Sequence, residues 1–163
     1  MTEQPMNEPV LGYSPGSPER ASIIAEIDKQ MSEVIEIPCI INGEDVFTGV
    51  TVQQVIPHRH GHVLANVHLA GMEQIESACS AAVEAQKSWI DIGLEERCKI
   101  FEKCADLLAG EWRMRVNAST MLNQSKTVFQ AEIDSACELI DFWRFNCHSV
   151  SYTHLRAHET FHD

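Results

Sequence analysis

The chain reads as mainly α-helical, with a β-hairpin and strand region near its N-terminus. Two observations carry that reading. Before residue 70, short apolar runs are broken by turn residues, Asn42-Gly43 above all. From Met72 onward the apolar period becomes that of a helix. A parallel sheet needs strands that alternate with helices, and no strand-like run follows residue 70. No complete Rossmann unit is therefore expected in these residues.

Residues 1–16 hold Pro5, Pro9, Gly12, Pro15 and Gly16 and read as an irregular arm. Ser17-Pro18 supplies a cap followed by proline at the first helical position. Ile24, Ile27, Met31 and Val34 follow at helical spacing and predict a helix over 18–35. Asn42-Gly43, between two short apolar runs, is a strong hairpin signal. VTVQQVIP and HVLANVHLA read as further strands around a turn from Pro57 to Gly61. Met72, Ile75, Cys79, Ala82, Gln86 and Trp89 line one face of the next helix, which Gly93 ends. Leu94, Cys98, Phe101, Ala105 and Leu108 mark the following one. Gly110 stands where a left-handed helix terminator belongs. A weaker helix spans about 111–123, and Gln124 to Asn146 reads as one long helix.

Composition excludes several function classes. Among 163 residues, 24 acidic face 12 basic ones, a formal net charge of -12. Phosphate binding needs clustered Lys and Arg, so neither nucleic acid nor an anionic membrane surface is an expected partner. No apolar run approaches the roughly 20 residues of a membrane span. Six cysteines include no C-x-x-C pair, and four lie in helical segments, where cysteine acts as a small buried apolar residue. That usage predicts a reduced compartment. The start, MTEQPMNEPV, has no basic residue and reads as neither a secretory signal nor an Arg-rich presequence.

The segment QSKTVFQAEIDSACELIDFWRFN, 124–146, is the richest in the chain. Phe129, Ile133, Ala136, Cys137, Ile140 and Trp143 form one apolar face. Val128, Leu139, Phe142 and Phe145 form a second strip, which implies burial on more than one side. Between them run Asp134, Glu138 and Asp141, with Asp141 in reach of Arg144. Such a stripe is ordinarily a solvated edge. The sharper alternative is that Glu138, among Leu139, Phe142 and Phe145, faces a pocket and holds a substrate ammonium. Histidines 58, 60 and 62 share a strand face, and His154, His158 and His162 would share a helix face, as metal ligands do. The first group reads as a polar turn and strand edge. The second has no evident supporting partner, and no metal is expected.

Several separated blocks resemble the aldehyde dehydrogenases that oxidise glutamate semialdehyde. NEPV at 7–10, GSPER at 16–20 and IPCIINGEDVF at 37–47 look like their opening and first hairpin. Pro57 to Gly61, Trp89 and Arg97 resemble the skeleton of aldehyde dehydrogenases at large. QSKTVFQAEID and ELIDFWRFN look like the semialdehyde enzymes specifically. The resemblance implies an α/β fold for the whole enzyme, of which residues 17–149 would be an N-terminal portion. It implies oxidation of L-glutamate 5-semialdehyde to L-glutamate in proline breakdown, with NAD as cofactor and a small-molecule substrate. The NAD domain and the cysteine nucleophile would lie later in the family's chain. None of the six cysteines matches that nucleophile, so this chain alone is expected to be inactive. Glu138 is the one substrate-binding position carried over. A homo-oligomer is implied for the complete enzyme. The mitochondrial matrix is the implied compartment, with the cytoplasm as alternative.

The tail SYTHLRAHETFHD does not continue the pattern. It resembles translated adapter or vector DNA, and residues 150–163 are read as non-native read-through. The competing reading of the whole is a catalytically inactive helical module that binds a partner through its apolar faces.

Overall fold

The computed structural model describes residues 4–159. After the irregular arm, α1 (Pro18–Ser32) is capped by the Ser17 hydroxyl, which accepts from the Arg20 amide, with Pro18 at the first turn. The helix ends at Ser32, earlier than its apolar spacing suggests. Ile35 and Ile37 belong instead to β1 (Ile35–Ile37). β2 (Cys39–Ile41) and β3 (Glu44–Val46) form the antiparallel hairpin expected from Asn42-Gly43. Both turn residues have positive φ, 53° and 82°, the geometry that twists a two-residue turn to match its strands.

β4 (Thr51–Ile56) and β5 (Arg59–His68) pair antiparallel, with Ile56 opposite Arg59. The turn is thus shorter than the Pro57–Gly61 expected, and His60 and Gly61 are already in the strand. β1 adds to the other edge of β5 in parallel, Ile35 opposite Ala65, giving the order β1-β5-β4. Sequence periodicity cannot reveal that parallel pair, since its strands are separated by the whole hairpin.

The helical part comprises α2 (Met72–Asp91), α3 (Leu94–Ala109), α4 (Arg113–Gln124) and α5 (Val128–Ala131). A π-helical stretch, Glu132–Cys137, then leads into α6 (Glu138–Glu159). Gly110 is not left-handed, with φ −101° and ψ −110°. Its amide still closes α3 by donating to the Asp106 carbonyl at 3.1 Å. The expected single helix from Gln124 starts later, at a Thr127–Gln130 capping box, and is interrupted by the π turn.

Three apolar clusters hold these elements. Ala105 and Leu108 of α3 pack on Ala136, Ile140 and Trp143. Tyr13, Ile23 and Ala118 join the arm, α1 and α4. Ile56, Leu64 and Leu122 join the sheet to α4. α2 is the exception. It buries no residue, and Met72, Ile75, Val83 and Ile90 of α2 are 50–70% exposed.

Candidate functional site

The residues around the π turn separate into a buried polar knot and an exposed acidic face. The knot centres on Glu132, fully buried. Its carboxylate accepts from the Leu11 amide at 2.8 Å, the Tyr13 hydroxyl at 2.7 Å, Asn117 Nδ2 at 2.7 Å and two guanidinium nitrogens of Arg113. Arg113, also buried, donates to Glu8 at 2.6 Å and to the Pro9 carbonyl at 2.7 Å. Arg144 reaches the other Glu8 oxygen at 2.7 Å. Burial works to raise the Glu132 carboxyl. The hydrogen bonds from Arg113, Leu11 and Tyr13 outweigh it and hold the group below the usual carboxylate range. Burial, then the bond to Glu132, pushes the Tyr13 phenol well above its ordinary value. Cys137, beside Arg113 and Glu132, is raised to about 11, chiefly by burial. Among its described residues the arm makes no strand or helix of its own; these ionised side chains strap it to α4 and α6.

Sequence reading singled out none of Glu8, Arg113 and Glu132. One signal was present. Arg113 opens α4, where a cation opposes the helix dipole, and such a residue needs a carboxylate to hold it.

The acidic stripe is not uniform. Asp134 pairs with Lys126 at 2.6 Å. Asp141 accepts from Asn7 Nδ2 at 2.6 Å and from the Glu8 amide at 2.7 Å. The expected Asp141–Arg144 pair is absent among the described residues, because Arg144 is drawn to Glu8 and Asp106. Glu138 is exposed, in the first turn of α6, and no hydrogen bond or ion pair among the described residues reaches its carboxylate. Its amide donates back to the Ile133 carbonyl, five residues earlier, so the π turn brings Ile133 alongside. Phe142 follows one turn later, 58% exposed, and Ile133 is 37% exposed. Ala136, Cys137 and Ile140 are buried, whereas Phe129 and Ile133 are not, so the single apolar face expected from spacing is split by the π turn.

His58 bonds the Ser125 hydroxyl at 2.8 Å, tying the β4–β5 turn to the end of α4. The side chains of His154 and His158, and all of His162, lie outside the described residues.

A family model described as the aldehyde dehydrogenase family matches residues 47–161, a span that runs past residue 149 into the tail. A Delta-1-pyrroline-5-carboxylate dehydrogenase of Agaricus bisporus is 44% identical over 147 residues, 90% of this chain and 26% of that protein. A mitochondrial enzyme of the same description from Homo sapiens is 43% identical over 140 residues, 86% of this chain and 25% of that one. The chain thus spans about a quarter of the length of these curated relatives. Among solved structures, the Delta-pyrroline-5-carboxylate dehydrogenase of Mycobacterium tuberculosis bound with NAD and cobalamin superposes with a TM-score of 0.88. It is 42% identical, over 91% of this chain and 28% of that one. Sequence, fold and the match over residues 47–161 agree: the chain belongs to the aldehyde dehydrogenase family.

Proposed function

We propose that these residues are the N-terminal portion of an NAD-dependent dehydrogenase that oxidises L-glutamate 5-semialdehyde to L-glutamate in proline breakdown, and that Glu138 binds the substrate's ammonium. The observation that carries the role of Glu138 is its isolation. Asp134 and Asp141 already hold partners, whereas Glu138 stands exposed beside Ile133 and Phe142. An apolar flank strengthens an ion pair with an incoming cation once water is excluded. The binding energy goes to recognition, because a carboxylate on the far end of the substrate does not touch the reacting aldehyde.

The described residues do not themselves suit NAD. β5 enters α2 through Leu69-Ala70-Gly71 with a single glycine, and the first turn of α2 carries Glu73, which repels a phosphate. The cofactor's contacts are assigned to the remainder of the family fold. By analogy with the relatives named mitochondrial, the matrix is the proposed compartment, and a homo-oligomer the proposed assembly.

Steady-state kinetics of the complete enzyme test the proposal. Glu138→Ala raises KM for glutamate semialdehyde by the equivalent of roughly 1.5–3 kcal/mol, the scale of a charge-assisted hydrogen bond. Simple aliphatic aldehydes, which lack the ammonium, are unaffected. An equal effect on both substrates, or an equal effect of Asp134→Ala, refutes the role of Glu138. The isolated 163-residue chain forms no NADH.

A second reading, an inactive module that binds a partner, draws support from α2, whose apolar residues are uncovered. Reading the gene beyond codon 149 separates the two. A strand–helix nucleotide unit followed by a cysteine-bearing block supports the enzyme; a stop directly after Asp163 supports the module.

A further inference from the structure

Cys98 of α3 and Cys147 of α6 face one another across the α3–α6 contact, 49 positions apart in the chain. The Cys147 sulfur lies 3.7 Å from the Cys98 carbonyl oxygen, and the Cys98 sulfur 4.0 Å from the Cys147 carbonyl oxygen. Each thiol therefore contacts the other residue's backbone carbonyl. That reciprocal contact, with the Cys147 thiol in hydrogen-bond reach of Cys98, brings the two side chains together, and a bridge needs such proximity. Both side chains are buried, 8% and 7% exposed, but both also line an apolar cavity of about 340 Å³. Trp89, Leu94, Phe101, Trp143 and Val150 are among its other walls. A cavity of that volume has room for a small neutral oxidant. The other cysteines are differently placed: Cys79 is exposed on α2, and Cys137 lies in the Glu132 knot.

We propose that Cys98 and Cys147 are a redox pair that closes, on exposure to a peroxide, into a disulfide stapling α3 to α6. In the first step one thiolate attacks a peroxide oxygen and the O–O bond breaks. Hydroxide leaves and takes the thiol's proton as water, and a sulfenic acid remains. In the second step the other sulfur attacks the sulfenic sulfur. The S–O bond breaks, the S–S bond forms, and the released hydroxide takes the second thiol proton as a second water. Two thiols are oxidised by two electrons, and one hydrogen peroxide is reduced to two waters. Burial, then the hydrogen bond with Cys98, pushes the Cys147 thiol up to about 12, so Cys147 keeps its proton until the sulfenic acid is made. Closure is therefore slow at neutral pH and faster as pH rises. The bridge would anchor α6 two and a half turns beyond Glu138, the helix turn being 3.6 residues.

The test uses the purified chain, exposed to hydrogen peroxide in native buffer at pH 8 and, separately, in concentrated urea. Remaining thiols are alkylated and peptides mapped by mass spectrometry without reduction. The expected result is one dominant cross-linked pair, Cys98 with Cys147, in native buffer, reversed by dithiothreitol, and a scrambled set of pairs in urea. Cys147→Ala abolishes the dominant pair and leaves Cys98 as sulfenic acid or its oxidation products. Cys98→Ala abolishes it equally. A variant keeping only these two cysteines, with the other four changed to serine, still closes in native buffer. The same scrambled pattern in both buffers overturns the proposal. So does oxidation confined to Cys79 and Cys104 while Cys98 and Cys147 stay alkylatable.

Discussion

Glu132→Ala is expected to be the most damaging single change outside the apolar clusters. The carboxylate removed is fully buried and accepts from four different residues: Leu11, Tyr13, Asn117 and Arg113. Breaking a buried pair by deleting one partner costs roughly 3–5 kcal/mol, because the surviving charge stays desolvated. Arg113 keeps Glu8 and the Pro9 carbonyl, which pulls the charge penalty toward the low end. The Leu11 amide loses its acceptor and adds an unsatisfied donor, at roughly 1–3 kcal/mol when buried. The net expectation is about 4–6 kcal/mol, a large part of the roughly 5–15 kcal/mol by which such domains are stable. Urea denaturation followed by circular dichroism measures it. Chymotrypsin supplies a local readout: Tyr13, 4% exposed, becomes a cleavage site once the arm is released. The pair Arg113→Met with Glu132→Leu, which removes both charges, costs less than the single variant. A loss under about 1 kcal/mol with Tyr13 still protected refutes the reasoning, as does an equal loss in Asp134→Ala.

The same knot sets a pH dependence. The folded-state pKa of Glu132 is depressed, so its contribution is fully present above the unfolded carboxylate value near ~4.3 and is lost as pH falls through the folded value. Tyr13 works at the other end. Its folded pKa is raised, so its contribution is present below the unfolded phenol value near ~10 and is lost as pH rises beyond it. Urea denaturation in a pH series on the parent and on Glu132→Gln separates the acid limb, which the variant flattens.

Two smaller effects follow from the same region. Thr127→Ala removes the hydroxyl that accepts from the Gln130 amide and costs about 1 kcal/mol by urea denaturation, with α5 the first element to fray. Asp141→Ala frees Asn7 and the Glu8 amide and raises cleavage within the arm, whereas Asp134→Ala, on an exposed pair, leaves proteolysis unchanged.

What sequence conveyed was local chemistry. Ser17-Pro18 starts α1, Asn42-Gly43 turns the hairpin, and the helical period from Met72 marks α2 and α3. What it withheld was long-range. Ile35 sits at helical spacing after Met31, yet pairing with Ala65 makes it strand. The face on Met72, Ile75 and Cys79 was correctly periodic, but periodicity identifies an apolar face without identifying its cover, and here no α2 residue is buried by the described residues. A glutamate among apolar helix residues reads as solvent-facing. The partners that make Glu132 a core residue lie 15 to 121 positions away.

The stripe Asp134, Glu138, Asp141 shows why spacing alone could not choose among its members. On an ideal helix the three are equivalent. The π turn breaks the equivalence by placing Glu138 five residues from its hydrogen-bond acceptor rather than four. Residues before the turn and after it then face different neighbours. Asp134 falls beside Lys126, and Asp141 falls beside the arm, which is itself held by Glu132 and Arg113. Glu138, between them, meets neither. The buried knot and the exposed carboxylate are thus linked. Glu132 and Arg113 hold the arm so that its Asn7 and Glu8 donors meet Asp141, and the proposed substrate role of Glu138 rests on its standing clear of them.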